Sequence, residues 1–182
     1  MPFKFRRFGV VGPVLIDPLV LEDSRGSFME TFKQSDFAKE GFAFSPVQEN
    51  LSKSRRGVLR GLHYQINPAG QAKLVRVTRG RAFDVAVDLR RDSRSFSKWV
   101  GFELSEANKR AALIPRGFAH GFVALTDPTE VTYLVDNEYS KVHERGVIWN
   151  DSRIGIRWPV RRPILSERDA KWPELKEAEV FE

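Results

Sequence analysis

The chain has 182 residues, 41% hydrophobic and 30% charged, which excludes a disordered polymer and fits one globular domain with a sizeable core. The net charge is +6, but the clusters Arg55-Arg56, Arg90-Arg91 and Arg161-Arg162 are short and dispersed, which argues against nucleic-acid and membrane-surface partners. Cysteine is absent, no apolar run approaches the ~20 residues of a membrane span, and the segment from Met1 to Phe8 lacks a signal-peptide pattern, so a cytoplasmic protein without disulfides or thiolate metal ligands is expected.

In chain order, the first predicted element is a short helix over Asp36 to Glu40, capped by Ser35 and ended by Gly41. Residues 58–65 (VLRGLHYQ) form an apolar strand that carries a histidine, His63. Lys73 to Thr78 alternates apolar and polar residues, and Arg79-Gly80 turns the chain into a second alternating run at 82–89. That run places Phe83, Val85, Val87 and Leu89 on one face and Ala82, Asp84, Ala86 and Asp88 on the other. Further strands are predicted at Trp99 to Leu104, Ala111 to Ile114, Gly121 to Leu125 and Glu130 to Val135. Turn signals at Asp92-Ser93, Pro115 to Gly117 and Asp127-Pro128 separate them. Pro159 to Pro163 leads into a C-terminal arm, where Ser166 opens a second helical turn over Glu167 to Ala170. Many short strands with turns between them indicate a β-sandwich or barrel, one domain over residues 1–182 with N- and C-terminal arms.

Several strands place polar groups where apolar ones belong. His63 is either a satisfied core histidine or a proton-transfer group. Gly61 clears space beside it, and in a regular strand Arg60 would point to the opposite face. His120, between Ala119 and Gly121, has similar room. Tyr133 is a candidate acid if neighbours lower its pKa, and otherwise a packed amphipathic tyrosine. Lys73 is a candidate oxyanion stabiliser, and otherwise a snorkelling strand-end lysine. Metal is not expected: Gly61 and Gln65 stand two residues either side of His63, where a His-X-His pair and a following carboxylate would be needed.

Seven segments in order sharpen this reading: Asp23 to Phe32 (DSRGSFMETF), Val47 to Asn50 (VQEN), Arg56 to Gln65 (RGVLRGLHYQ), Lys73 to Arg76 (KLVR), Phe83 to Arg90 (FDVAVDLR), Ile114 to Phe122 (IPRGFAHGF) and Ile154 to Pro159 (IGIRWP). Together the chain resembles the dTDP-4-dehydrorhamnose 3,5-epimerase family of the cupin superfamily. The resemblance implies an all-β, cupin-type jelly-roll barrel with a few short peripheral helices. It implies a homodimer that epimerises dTDP-4-dehydro-6-deoxy-D-glucose at carbons 3 and 5, without cofactor or metal. His63 matches the base, Tyr133 the acid, Lys73 the group that holds the enolate oxygen, and Asp169 the carboxylate paired with His63. Asp84 is a second candidate partner for a histidine. Tyr139 matches a residue that stacks on thymine. Arg25, Glu30, Gln48, Glu49, Asn50, Arg60, His120, Glu144 and Arg168 match substrate-binding positions. Departures from the family pattern are Ser24, Ser27, Arg116 and Arg168. The nearest rival is a single-centre epimerase of another dTDP-4-keto-6-deoxy sugar. A silent cupin binding module would have lost the base or acid, and an RNA-binding protein would need a contiguous basic stretch. Arg60 is expected to face a diphosphate, which requires an irregularity in the strand at Gly61.

Overall fold

The computed structural model describes residues 2–182. The chain opens with strands β1 (Phe3–Arg7) and β2 (Val14–Pro18), a hairpin of β3 (Leu21–Asp23) and β4 (Gly26–Phe28), and helix α1 (Gln34–Lys39). Then follow β5 (Gln48–Ser54), β6 (Leu59–Gln65), β7 (Lys73–Arg79), β8 (Arg81–Asp88), β9 (Trp99–Ser105), β10 (Ala111–Ile114), β11 (Phe118–Ala124), β12 (Thr129–Val135) and β13 (Glu144–Gly146). They form a six-stranded sheet in the order β1-β2-β10-β7-β12-β5 and a five-stranded sheet in the order β13-β6-β11-β8-β9. Strand pairing within the sheets is antiparallel, and the crossing connections make a jelly-roll barrel, which agrees with the sandwich or barrel read from strand count and turn spacing and with the jelly roll that the resemblance implies.

The expected strands from Lys73 to Val135 are all present, and β10 has the predicted bounds. β11 begins three residues early, at Phe118, because Phe118, Ala119 and His120 already pair with Asp88, Val87 and Ala86 of β8. β5 gave no sequence signal because it reads Gln-Glu-Asn-Leu-Ser-Lys-Ser, with almost no apolar alternation. The helices differ from expectation. α1 starts before Ser35, with Lys33 at the N-cap and no side-chain cap bond. Its anchor is Phe37, fully buried against Phe3, Phe5 and Phe32 at ring separations of 5.5, 5.3 and 4.9 Å, so packing rather than capping fixes it. Residues 167–170 form turns, not a helix, although Asp169 N–H does donate to Ser166 Oγ at 3.1 Å.

Three apolar layers follow from the alternation. Val75, Ile114 and Val131 of one sheet meet Ala82, Ala86, Phe102 and Phe122 of the other inside the barrel. Phe37 and Phe44 close the outer face of the six-stranded sheet. Val85, Val87 and Leu89 point outward from the five-stranded sheet and are covered by Val147, Ile154, Trp158 and Leu175 of the C-terminal arm. The alternation on β8 therefore separates two buried surfaces, and Asp84 shares the interior one.

β6 and β11 do not pair regularly. His120 lies opposite His63 and Phe122 opposite Arg60, so two steps on β11 match three on β6. The extra residue is accommodated where Gly61 (φ +132°) meets Gly121. A Cβ on Gly61 would lie 2.6 Å from Gly121 Cα and 2.9 Å from the His120 carbonyl oxygen. This is the irregularity expected at Gly61, and it turns Arg60 and His63 to the same side. Gly61→Ala is expected to lower the stability to urea unfolding by about 1–3 kcal/mol, from steric conflict and unfavourable φ together.

Candidate active site

The bulge and the flanking strands converge on one cavity of about 580 Å³ at the mouth of the barrel. β6 contributes Arg60, His63 and Gln65; β11 contributes His120 and Phe122. From the opposite sheet, β5 contributes Gln48, Asn50 and Ser52, β7 contributes Lys73 and β12 contributes Tyr133. The loop before β13 adds Tyr139, β13 adds Glu144, and the arm adds Ser166, Arg168 and Asp169.

His63 Nε2 lies 2.6 Å from Asp169 Oδ1. Burial pushes the Asp169 carboxyl up, but the His63 hydrogen bond and charge, with bonds to Ser166 and Trp172, outweigh it and hold its pKa below the usual range. An ionised Asp169 can only accept, so Nε2 carries the proton and Nδ1 keeps its lone pair for chemistry. Trp172 backs the pair, its Nε1–H 3.4 Å from Asp169 Oδ1 and its ring 6.0 Å from the imidazole. Gly146, the β13 partner of His63, leaves the space that this indole fills.

A second pair faces the same cavity. His120 Nε2 is 2.7 Å from Asp84 Oδ2, both side chains are buried, and Asp84 Oδ1 has no partner among the described residues. The expectation that Asp84 partners a histidine holds. Lys73 is buried, with Nζ 3.5 Å from the His63 carbonyl oxygen. Desolvation lowers its pKa to about 8, against the opposing pull of Asp84 and Glu144. Tyr133 corrects an expectation. Its pKa is raised, not lowered, because burial outweighs the favourable field of Arg60. The phenol is thus protonated at neutral pH, the state a proton donor needs.

At the mouth, Tyr139 Oη–H donates to Glu144 Oε2 at 3.0 Å and Arg168 Nη1 to the same oxygen at 2.8 Å. Tyr139 is half-exposed and its ring is available for stacking. Gln48 Nε2 donates to Asn50 Oδ1, and Gln48 Oε1 accepts the Tyr139 backbone N–H, which fixes the mouth loop to β5. Arg60 is tethered by Ser54 Oγ at 3.1 Å and points into the cavity.

Three expected site residues do not reach this cavity. Glu49 alternates with Gln48 and Asn50 and faces outward. Arg25 sits on the β3–β4 hairpin, paired with Asp23 and almost fully exposed. Glu30 lies 3.9 Å from Lys33 beyond that hairpin. Of the departures, Arg116 pairs with Asp136 outside the cavity, whereas Arg168 is part of the mouth. The sequence reading missed Ser52, Gln65, Gln71, Phe122 and Trp172. Only Gln65 carried a signal, as a polar residue ending an apolar strand.

The chain also has close relatives. A family model described as dTDP-4-dehydrorhamnose 3,5-epimerase matches residues 7–177. The dTDP-4-dehydrorhamnose 3,5-epimerase of Shigella flexneri is 50% identical over 169 residues, covering 92% of this chain and 93% of that protein. A crystal structure of the Sulfolobus tokodaii dTDP-4-dehydrorhamnose 3,5-epimerase superposes with a TM-score of 0.93 at 46% identity, over 100% of both chains. The Legionella pneumophila dTDP-6-deoxy-D-glucose-3,5-epimerase, solved in complex with dTDP-4-keto-L-rhamnose, gives a TM-score of 0.92 at 38% identity, covering 96% of this chain and 94% of that one.

The buried ammonium has a measurable signature. Between pH 8 and 10.5 the unfolded chain keeps a Lys73 proton that the folded chain sheds, so this residue's contribution to stability rises with pH in that window. Below pH 8 its desolvation cost is constant. Urea unfolding of wild type and Lys73→Met is expected to show wild type gaining roughly 1–3 kcal/mol on the variant from pH 8 to 10. A pH-independent difference would contradict the burial of the charge.

Proposed function

The chain belongs to the dTDP-4-dehydrorhamnose 3,5-epimerase family, and from that membership we infer that it is an isomerase inverting carbons 3 and 5 of dTDP-4-dehydro-6-deoxy-D-glucose to give dTDP-4-dehydro-β-L-rhamnose. One observation carries the mechanism: His63 and Tyr133 enter the cavity from opposite sheets. A base on one wall and an acid on the other deliver inversion. The ketone at carbon 4 acidifies the protons on both neighbouring carbons. His63 Nδ1 removes one, the Lys73 ammonium stabilises the enolate oxygen, and Tyr133 Oη–H returns a proton from the far side. Every step is carried by side chains of the protein, without cofactor or metal.

The substrate's nucleotide end fits the mouth. The Arg60 guanidinium suits the diphosphate, since its planar fork pairs two oxygens at once. Tyr139 offers a ring for the thymine, and such stacking contributes about 1–3 kcal/mol. Gln48, Asn50, His120, Glu144 and Arg168 supply further polar contacts.

The active form is a homodimer in the cytoplasm. β5 is an unpaired edge of the six-stranded sheet. Val47 beside it and Leu51 on it are exposed by 60% and 65%. An apolar surface beside an open edge suits a two-fold partner. Such a partner gives Arg25 and Glu30 a role that this chain's own cavity does not.

Turnover in deuterium oxide is expected to place label at both carbons 3 and 5. Label at one carbon alone would favour a single-centre epimerase. His63→Ala is expected to cut turnover by ~10²–10⁴-fold while leaving dTDP affinity largely intact. Tyr133→Phe should retain deuterium wash-in but lose inversion; unchanged epimerisation in that variant would assign the acid elsewhere.

A further inference from the structure

Two inversions by one base and one acid create a problem of proton balance. After the first, His63 has gained a proton and Tyr133 has lost one. The second cannot begin until both are reset. Resting on the double inversion proposed above, we propose that His120, held by Asp84, takes the proton from His63 between the two inversions, so that both proceed in one binding event.

The placement supports this. His120 stands directly opposite His63 in the β6–β11 register, beside the bulge, and both line the cavity. Directly opposed residues have Cβ atoms about 4.5–5.5 Å apart. Each imidazole turns Nε2 to a buried carboxylate, His63 to Asp169 and His120 to Asp84. That leaves both Nδ1 atoms for exchange, directly or through one water. Asp84 Oδ1 is buried and unpartnered among the described residues, so the Asp84 carboxylate has capacity to stabilise a charged His120.

The protons balance. In each inversion a C–H bond breaks as His63 Nδ1–H forms, and a new C–H bond forms as Tyr133 Oη–H breaks. In the reset, His63 Nδ1–H breaks and His120 Nδ1–H forms, while Lys73 Nζ–H breaks and Tyr133 Oη–H is restored. Lys73 on β7 and Tyr133 on β12 face the same cavity. In the register Tyr133 lies opposite Val75 and Lys73 opposite Val135, so the two side chains are diagonal neighbours. Burial lowers the lysine and raises the tyrosine, the direction this transfer needs, and the neutral Lys73 amine still donates an N–H to the enolate oxygen in the second inversion. After the second inversion both histidines hold an extra proton, and Lys73 and Tyr133 each lack one. The sum is zero, and solvent restores the set once product leaves.

The test is single-turnover kinetics with the 4-keto sugar nucleotide, quenched by borohydride and analysed for singly and doubly inverted sugars. His120→Gln is expected to slow the second inversion at least about tenfold more than the first. The singly inverted sugar then accumulates, and imidazole in the buffer restores the second step. Asp84→Asn, which keeps the ring, should shift the same ratio in the same direction, and an unchanged circular dichroism spectrum and urea midpoint verify that each variant is folded. Equal slowing of the two inversions, or no response to imidazole, would overturn the relay. Wild type labelled at only one carbon in deuterium oxide would instead overturn the double-inversion reading itself.

Discussion

The contact between Gly61 and Gly121 is the constraint on which the site depends. Two backbones approach where neither residue has a Cβ, and one extra residue fits into β6. Without that residue, Arg60 and His63, three positions apart, would point to opposite faces. With it, a guanidinium and an imidazole share one wall of the cavity. The same bulge keeps His120 directly across from His63. A conformational allowance at two glycines thus sets the relative positions of three functional side chains.

The second organising principle is charge held in low dielectric by partners on other strands. Asp169 reaches His63 from the arm, Asp84 reaches His120 from the neighbouring strand, and Lys73 has no carboxylate within 4 Å among the described residues. The paired carboxylates orient their rings, whereas the lone ammonium is loosened toward neutrality. Tyr133 is pushed the other way by the same burial. Desolvation therefore drives the lysine and tyrosine apart in proton affinity: the ammonium gives up its proton more readily and the phenol holds its own more tightly. This follows from cavity depth alone, without a dedicated partner for either group.

Much of this was legible in the sequence, for physical reasons. β7, β8, β9, β10 and β12 bury at least one face, so their alternation is written in apolar residues. Strand β5 could not be read that way, because it faces a polar cavity on one side and exposes Glu49, Leu51 and Lys53 on the other. Glu49 was grouped with Gln48 and Asn50 by adjacency, and alternation sends it outward. The Asp169 pairing joins residues 106 positions apart, which no local pattern encodes; family resemblance supplied it. Nothing local marked Trp172, because the glycine that admits it lies on a different strand. The direction of the Tyr133 shift needed the burial of the phenol, which depends on the whole barrel.

The C-terminal arm does more than cover the outer face of the five-stranded sheet. It carries Asp169, Arg168 and Ser166, and it is fastened by a backbone bridge from Phe181 to Arg90 and by the Tyr64 hydroxyl on the Glu179 carbonyl. On the ribosome, the strands that carry His63, Lys73, His120 and Tyr133 are all synthesised by Val135. His63 waits for its carboxylate until the arm emerges and docks. A nascent barrel can therefore enclose the cavity before the His63 imidazole is oriented, and the finished site arrives as a late, separate event in the life of each molecule.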